Sequence, residues 1–106
     1  MAKKRNIDAE ELLSVDRALR KDKKLEGIRT TVTDKTLIAI RSSTGKLGPV
    51  SGSYTVRRTG DAQLEIFAGR AHFSWPFEVR EGDSTKKIIQ SIRTTLSDYL
   101  DGVVNP

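Results

Sequence analysis

The spacing of apolar residues predicts a helix at the start of the chain. The residues that recur three and four positions apart, and so share one helix face, are Leu12, Val15 and Leu19. Acidic residues crowd the beginning of this stretch and basic residues crowd its end, which suits the dipole of a helix at both termini. Asn6 or Asp8 can cap the first turn. We therefore predict a helix over residues 7–25.

The pattern changes over residues 28–80 to the alternation of apolar and polar positions that is typical of strands. Short runs of this kind, separated by turns that contain Gly, Asp or Pro, predict five strands. They lie at residues 28–32, 37–41, 51–58, 63–67 and 71–80. The stretch 42–49 holds two glycines and Pro49, and we predict a loop there. Pro76 cannot donate a backbone hydrogen bond, so the fifth strand is expected at an edge of the sheet or bulged at that residue.

Residues 84–101 return to helical spacing and place Ile88, Ile92 and Leu96 on one face. The element order is then α-β-β-β-β-β-α, and the short links between strands imply antiparallel pairing. One apolar face on each element favours two layers. We predict an α+β fold, a two-layer structure in which the N- and C-terminal helices lie on one face of a five-stranded, mainly antiparallel sheet. The whole chain is expected to form a single domain, in which residues 1–6 are a flexible basic tail.

The last predicted strand has the clearest alternation. Its apolar set, which we expect to face the core, is Phe73, Trp75, Phe77 and Val79. The side of the sheet away from the helices is then rich in Ser, Thr and Arg, with Phe67 as its aromatic residue. Hydroxyl and guanidinium groups bind phosphates and an aromatic ring stacks on bases, so this face can be a platform for single-stranded nucleic acid. Ser and Thr are also ordinary residues on a solvated sheet face.

The excess of positive charge lies in the first half of the chain. The sequence has 19 Lys and Arg against 14 Asp and Glu, a net charge of +5. Residues 1–46 hold 12 basic and 7 acidic side chains, and residues 47–106 hold 7 of each. An excess on one side of a molecule is typical of proteins with an anionic partner. The residues that we expect to bind nucleic acid are Arg17, Arg20, Lys21, Lys23, Lys24, Arg29, Lys46, Arg57, Arg58 and Phe67.

Composition and motif spacing exclude several kinds of chemistry. The chain has no Cys and a single His, which excludes disulfides, thiolate nucleophiles and His-rich metal sites. The Gly45-Lys46 pair suggests a phosphate-binding P-loop, but the motif fails. It needs Gly at the position of Ile40 and Ser or Thr at the position of Leu47.

His72 is the one side chain whose ordinary pKa lies near neutrality, and Ser74 and Glu65 are candidates to lie beside it. Because an open sheet offers neither a pocket nor oxyanion donors, we interpret His72 as a hydrogen-bonding surface residue. We therefore expect a protein that is not an enzyme and that holds no cofactor and no metal.

Two hypotheses of function remain. The first is a small non-enzymatic nucleic-acid-binding protein of low sequence specificity, with single strands favoured, that acts through the basic helix end and the Ser/Thr/Arg sheet face. The second is a protein–protein interaction module (an inhibitor, adaptor or assembly subunit) that docks on an acidic partner. Either is compatible with a virus-encoded or mobile-element-encoded protein and with a homodimer formed through an open sheet edge.

The first residues of the chain are basic, but acidic residues follow them where an export signal would have an apolar segment. The sequence also has no apolar stretch of the length that crosses a bilayer. We therefore expect a cytoplasmic protein without a membrane partner.

Overall fold

The computed structural model, which describes residues 3–23, 27–45, 48–100 and 102, has two helices and five strands in the order expected from the sequence. The helices are α1, Ala9–Arg20, and α2, Thr85–Thr94, which continues as a π-helical turn over Thr95–Tyr99. The strands are β1 Arg29–Val32, β2 Thr36–Gly45, β3 Gly48–Arg57, β4 Asp61–Ala68 and β5 Ala71–Glu78. The predicted α+β class is confirmed. Within these residues, neither helix is long and apolar enough to span a membrane.

All five strands form one antiparallel sheet in which neighbours in sequence are neighbours in space, from β1 at one edge to β5 at the other. The edge position predicted from Pro76 is therefore confirmed. The Val79 amide donates to the Gly60 carbonyl oxygen at 2.7 Å, and hydrogen-bonded and non-hydrogen-bonded pairs alternate from there along β5. Pro76, opposite Gln63, falls at a non-hydrogen-bonded position. Its nitrogen therefore faces the open edge, and the proline costs no bond to β4.

The loop predicted over residues 42–49 is wrong for the described residues, because 42–45 of β2 pair with 48–51 of β3. The pairing continues to Gly45 opposite Gly48. Pro49 lies opposite Thr44 at a position where the two strands exchange no hydrogen bond, so its missing amide hydrogen does not interrupt the ladder. Gly45, Gly48 and Pro49 therefore occupy positions that do not interrupt the hydrogen bonds between the two strands. The residue types alone do not indicate this.

Both helices pack on the same face of the sheet, as predicted, and the core lies between the two layers. Its fully buried residues include Ile7, Leu12, Leu19, Leu37, Val56, Ile66, Ile92 and Leu96. Gly52 on β3 lets the π-helical turn approach closely, since a Cβ atom there would lie 3.3 Å from Leu96 Cδ2. Arg41, opposite Gly52 on β2, donates from its guanidinium to the Leu96 carbonyl oxygen at 2.9 Å. These contacts fix the end of the second helix over β2 and β3.

The basic tail expected over residues 1–6 is, in its described part, bound to the fold. The Arg5 amide donates to the Val79 carbonyl oxygen at 2.9 Å. The Arg5 guanidinium forms an ion pair with the Glu11 carboxylate at 2.6 Å and donates to the Asp83 carbonyl oxygen at 2.7 Å. The charge of this segment alone predicts a flexible tail, and that prediction is wrong because the partners of Arg5 lie in α1 and beyond β5.

Helix α1 begins near its predicted start but ends earlier than predicted. The Asp8 carboxylate caps it by accepting the Glu11 amide hydrogen at 2.8 Å. The helix stops at Arg20, and Asp22, just beyond it, forms an ion pair with Arg93 of α2. This ion pair joins the end of α1 to the second helix.

Two leucines of α1 allow a matched test of the packing. Leu19 is fully buried, whereas Leu13 is 41% exposed. We expect Leu19→Ala to lower the free energy of unfolding by about 2–5 kcal/mol, because it removes buried apolar surface and leaves a cavity. Leu13→Ala should change it by no more than about 0.5 kcal/mol. Urea unfolding followed by circular dichroism measures both values, and equal losses would contradict the packing described above.

The ion pair between Arg5 and Glu11 predicts a pH dependence of stability. The hydrogen bond from Arg5 lowers the pKa of the Glu11 carboxyl; burial opposes this shift, and a hydrogen bond from Thr85 adds to it. A carboxyl with a lowered pKa stabilises the fold above its unfolded pKa of about 4.3, and this stabilisation is lost as the pH falls through the folded value.

We therefore expect Glu11→Gln to lower the free energy of unfolding by about 1–3 kcal/mol at pH 7, since it weakens charge-assisted hydrogen bonds. The difference from the native protein should shrink as the pH falls below about 4. Urea unfolding at pH 7, 5 and 3 measures this, with Glu10→Gln as the exposed neighbouring control. A difference that stays constant across this range would show that the carboxylate charge does not carry the effect.

Candidate nucleic-acid interface

Helix α1 carries predicted site residues on the side that faces away from the core. Arg17, Arg20 and Lys21 are exposed, and so is Lys23, which follows the helix. The apolar stripe of α1 faces the sheet, so residues about half a turn away from that stripe point to solvent. The structure therefore exposes four predicted cations in the last turn of α1 and just beyond it. We call them the α1 cations.

The carboxylates in the same stretch are turned away from solvent. Asp16 is buried, and its Oδ1 atom accepts a hydrogen bond from Arg20 Nε at 3.2 Å. The Asp22 side chain is 7% exposed and forms an ion pair with Arg93. The Arg20 side chain nevertheless stays 62% exposed. The described surface at the end of α1 is therefore positive, because its basic groups face solvent and these two acidic groups do not.

Arg29 lies on the other side of the sheet from the α1 cations. Its neighbour Thr30 faces the helices, and the Thr30 hydroxyl accepts a hydrogen bond from Arg20 Nε at 2.9 Å. Successive residues of a strand point to opposite faces, so Arg29 points to the face that lies away from the helices. We call this the outer face. The α1 cations and Arg29 thus flank the edge strand β1 from its two sides.

The register of the strands places Arg29 at one end of a row of residues that crosses the outer face. The row continues through Ile40, Ser53, Glu65 and Ser74. Ile40 is exposed, and sequence reasoning misses it because its strand reads as mostly apolar. The centre of the outer face is therefore more apolar than its Ser, Thr and Arg residues alone suggest.

Phe67, the predicted stacking residue, lies on the outer face close to β5. It is 44% exposed, and its ring lies parallel to the His72 ring, with centroids 4.3 Å apart and an angle of 4° between the planes. The two residues are opposite each other at a position without hydrogen bonds, where side chains approach most closely. His72 Nε2 also lies 3.5 Å from Glu65 Oε1. Sequence reasoning misses the stack because only the register brings the two rings together.

The three side chains considered for catalysis are occupied in other ways. The Ser74 hydroxyl accepts a hydrogen bond from the Gln63 amide, while His72 contacts Glu65 and Phe67. The hydroxyl is thus paired with an amide rather than with the imidazole. Across the described ranges, no three His, Cys, Asp or Glu side chains are grouped so as to hold a metal ion.

Arg57 and Arg58 lie at the opposite end of α1 from the α1 cations. Arg58 Nε donates to the Ile7 carbonyl oxygen at 3.2 Å, just before α1 begins. The Arg58 amide donates to the carbonyl oxygen of Lys35, in the turn between β1 and β2, at 3.0 Å. The structure therefore divides the predicted cations into separate groups and adds Lys35, which the sequence did not indicate, to the second group.

Phe73, Trp75 and Phe77 point to the same side of the sheet as the core, but the prediction that they are buried is wrong. Phe73 is 49% exposed, Phe77 is also exposed, and Trp75 is half-buried. All three belong to the edge strand β5, and a cavity of about 420 Å³ separates Trp75 and Phe77 from the end of the second helix. The alternation of β5 predicts the side on which each residue lies but not how far the helix layer reaches.

Comparison with protein-family models, with curated proteins and with solved structures finds no match for this chain. The function is therefore inferred from the geometry of the described residues. Lys24 and Lys46, the two remaining predicted cations, lie outside those residues.

Proposed function

We propose that this protein binds single-stranded nucleic acid with low sequence specificity and without enzymatic activity. The observation that carries the proposal is the arrangement of charge at the end of α1. The four α1 cations face solvent there, while Asp16 and Asp22 are turned inward. Such a surface attracts phosphates and releases their counterions on binding, which supplies essentially all the affinity of non-specific complexes.

The outer face supports a second contribution, from stacking on bases. Arg29 stands at one edge of this face, and the Phe67–His72 stack lies near the other. An exposed ring or guanidinium plane stacks on any base, because every base has a π-face. Single strands are favoured since their bases are accessible, whereas the bases of a duplex are paired and stacked on each other.

Low specificity follows from the kind of groups that these surfaces offer. Ammonium, guanidinium and hydroxyl groups bind the sugar–phosphate backbone, which carries no sequence information directly. Stacking is likewise tolerant of sequence. The proposed complex therefore depends on charge and on the accessibility of the bases rather than on hydrogen bonds to base edges.

Titration of a fluorescent single-stranded oligonucleotide at several salt concentrations tests the electrostatic part. We expect Arg17→Gln and Lys21→Gln each to make the log–log slope of affinity against salt shallower by about 0.7, the contribution of one neutralised phosphate in a single strand. Lys86, exposed on α2, is the matched control, and Lys86→Gln should leave the slope unchanged. Unchanged slopes for both α1 variants, or an equal change for Lys86→Gln, would contradict the proposal.

Two phenylalanines on opposite faces of the β4–β5 hairpin test the stacking part. Phe67 and Phe73 are exposed to a similar extent, at 44% and 49%. We expect Phe67→Ala to weaken binding of the oligonucleotide by about 1–3 kcal/mol, the value of one base stacked on an aromatic side chain. Phe73→Ala should leave the affinity unchanged, because Phe73 lies on the helix side of the sheet. The reverse result would place the ligand on the other face.

A positive helix end also fits an acidic protein surface, and the same titrations separate this alternative. Failure of both single-stranded and double-stranded oligonucleotides to bind at low salt would reject nucleic acid as the ligand. An acidic protein that binds at a fixed ratio, and that loses affinity on Lys21→Gln, would then take its place. Tighter binding of the duplex would retain nucleic acid but overturn the preference for single strands.

A further inference from the structure

A groove of about 440 Å³ lies where three segments meet, namely the residues before α1, the β1–β2 turn and the β3–β4 turn. The polar residues that line it are Asn6, Lys35, Thr36, Arg57, Arg58 and Thr59. Ile7 supplies the apolar part of the wall. The groove is separate from the α1 cations and from the Phe67–His72 stack.

Backbone contacts hold the walls of this groove in place. The Ile7 amide donates to the Arg58 carbonyl oxygen at 2.8 Å, and the Arg58 amide donates to the Lys35 carbonyl oxygen at 3.0 Å. Gly60, with a φ of +91°, lets the chain before α1 pass close by, since a Cβ atom at this position would overlap the Arg5 carbonyl oxygen. The three segments are therefore joined to one another independently of any ligand.

The charge of the lining is strongly positive. Three of the described lining residues are basic and none is acidic. The nearby Asp61 carboxylate already accepts hydrogen bonds from Thr59 Oγ1 at 2.7 Å and from Lys4 Nζ at 3.0 Å. The groove thus combines an excess of positive charge with a fixed geometry, which is the arrangement that attracts an anion.

The basic side chains of the groove differ in their contacts. Arg58 uses Nε for the Ile7 carbonyl oxygen and Nη1 for the Asp34 carbonyl oxygen, so its guanidinium is part of the wall. Lys35 and Arg57 are exposed. An ammonium carries three donors and a guanidinium carries five, which suits a ligand with several acceptor oxygens on one centre. A phosphate group has this chemistry.

We propose that the groove binds the terminal phosphate of a nucleic-acid strand. A terminal phosphate is a monoester with a charge of about −1.5 to −2 at pH 7, whereas an internal phosphate carries a single charge. A groove lined by three cations therefore favours the end of a nucleic-acid strand over its middle. The groove is open and larger than a phosphate group, so there is room for the attached nucleotide. The choice of a nucleic acid as bearer of the phosphate rests on the function proposed above.

A single nucleic-acid strand can contact both the groove and the α1 cations. The groove lies beside the residues that precede α1, and the α1 cations lie at and just beyond its last turns. The helix has 12 residues, which corresponds to a length of about 18 Å. Recognition of the end of a strand and contact with its backbone can therefore act on the same molecule.

The test compares short fluorescent oligothymidines with a 5′-phosphate, with a 3′-phosphate or with neither. We expect a phosphate at one end to tighten binding about tenfold, a factor within reach of one charge-assisted hydrogen bond. The double variant Lys35→Gln, Arg57→Gln should lose this gain, while Arg58 is left intact because it holds the fold. The matched control, Arg17→Gln with Lys21→Gln, removes the same charge and should weaken binding of all three strands while keeping the gain.

Equal binding of all three oligonucleotides to the native protein would overturn the groove proposal and leave the proposed function standing. Persistence of the gain in the Lys35→Gln, Arg57→Gln protein would overturn it in the same way. Thermal melting followed by circular dichroism checks that this protein is folded. If it melts early, Lys35→Gln alone takes its place, with Lys21→Gln as the control.

A second measurement tests the groove without an oligonucleotide. If no oligonucleotide binds, the proposed function fails, and inorganic phosphate then tests the groove by itself. The amide resonances of Thr36 and Thr59 should shift on addition of sodium phosphate and not on addition of sodium chloride at equal ionic strength. Absence of these shifts would overturn the groove as a phosphate site, whereas their presence would keep the site and reject the nucleic-acid strand as its bearer.

Discussion

Two helices are not wide enough to cover five strands, and this mismatch shapes the molecule. Neighbouring strands lie about 4.8 Å apart, whereas packed helices lie about 8–10 Å apart. The two helices therefore cover about four strands, and β5 extends beyond them. Phe73 and Phe77 are exposed for this reason, although they lie on the core side of the sheet. Both helices pack on that side, so the outer face has no described helix on it.

Ion pairs that join one segment of the fold to another decide which charges remain available to a ligand. Arg5 with Glu11 joins the N-terminal segment to α1, and Arg93 with Asp22 joins α1 to the second helix. Each pair engages a carboxylate that would otherwise reduce the positive potential of the surface around it. The contacts that hold the helices together therefore also leave basic side chains facing solvent at the end of α1.

Local rules predict the parts of this structure that depend on neighbouring residues. The Asp8 cap, the edge position of Pro76 and the element order follow from residue type and short-range spacing. The pairing of residues 42–45 with 48–51 depends on strand register, which spacing alone does not fix. The candidate interface divides in the same way. The helical period predicts the common side of Arg17, Arg20 and Lys21, whereas Lys35 meets Arg58 through two turns that are far apart in sequence.

The missing amide hydrogen of Pro76 limits what can be added to the sheet. A strand from another molecule at the free edge of β5 would find no donor at this residue, near the middle of the edge, so a continuous ladder cannot form there. Repeated pairing of that kind is how identical chains grow into fibrils. Pro76 thus hinders polymerisation through the free edge of β5, the same strand that exposes Phe73 and Phe77.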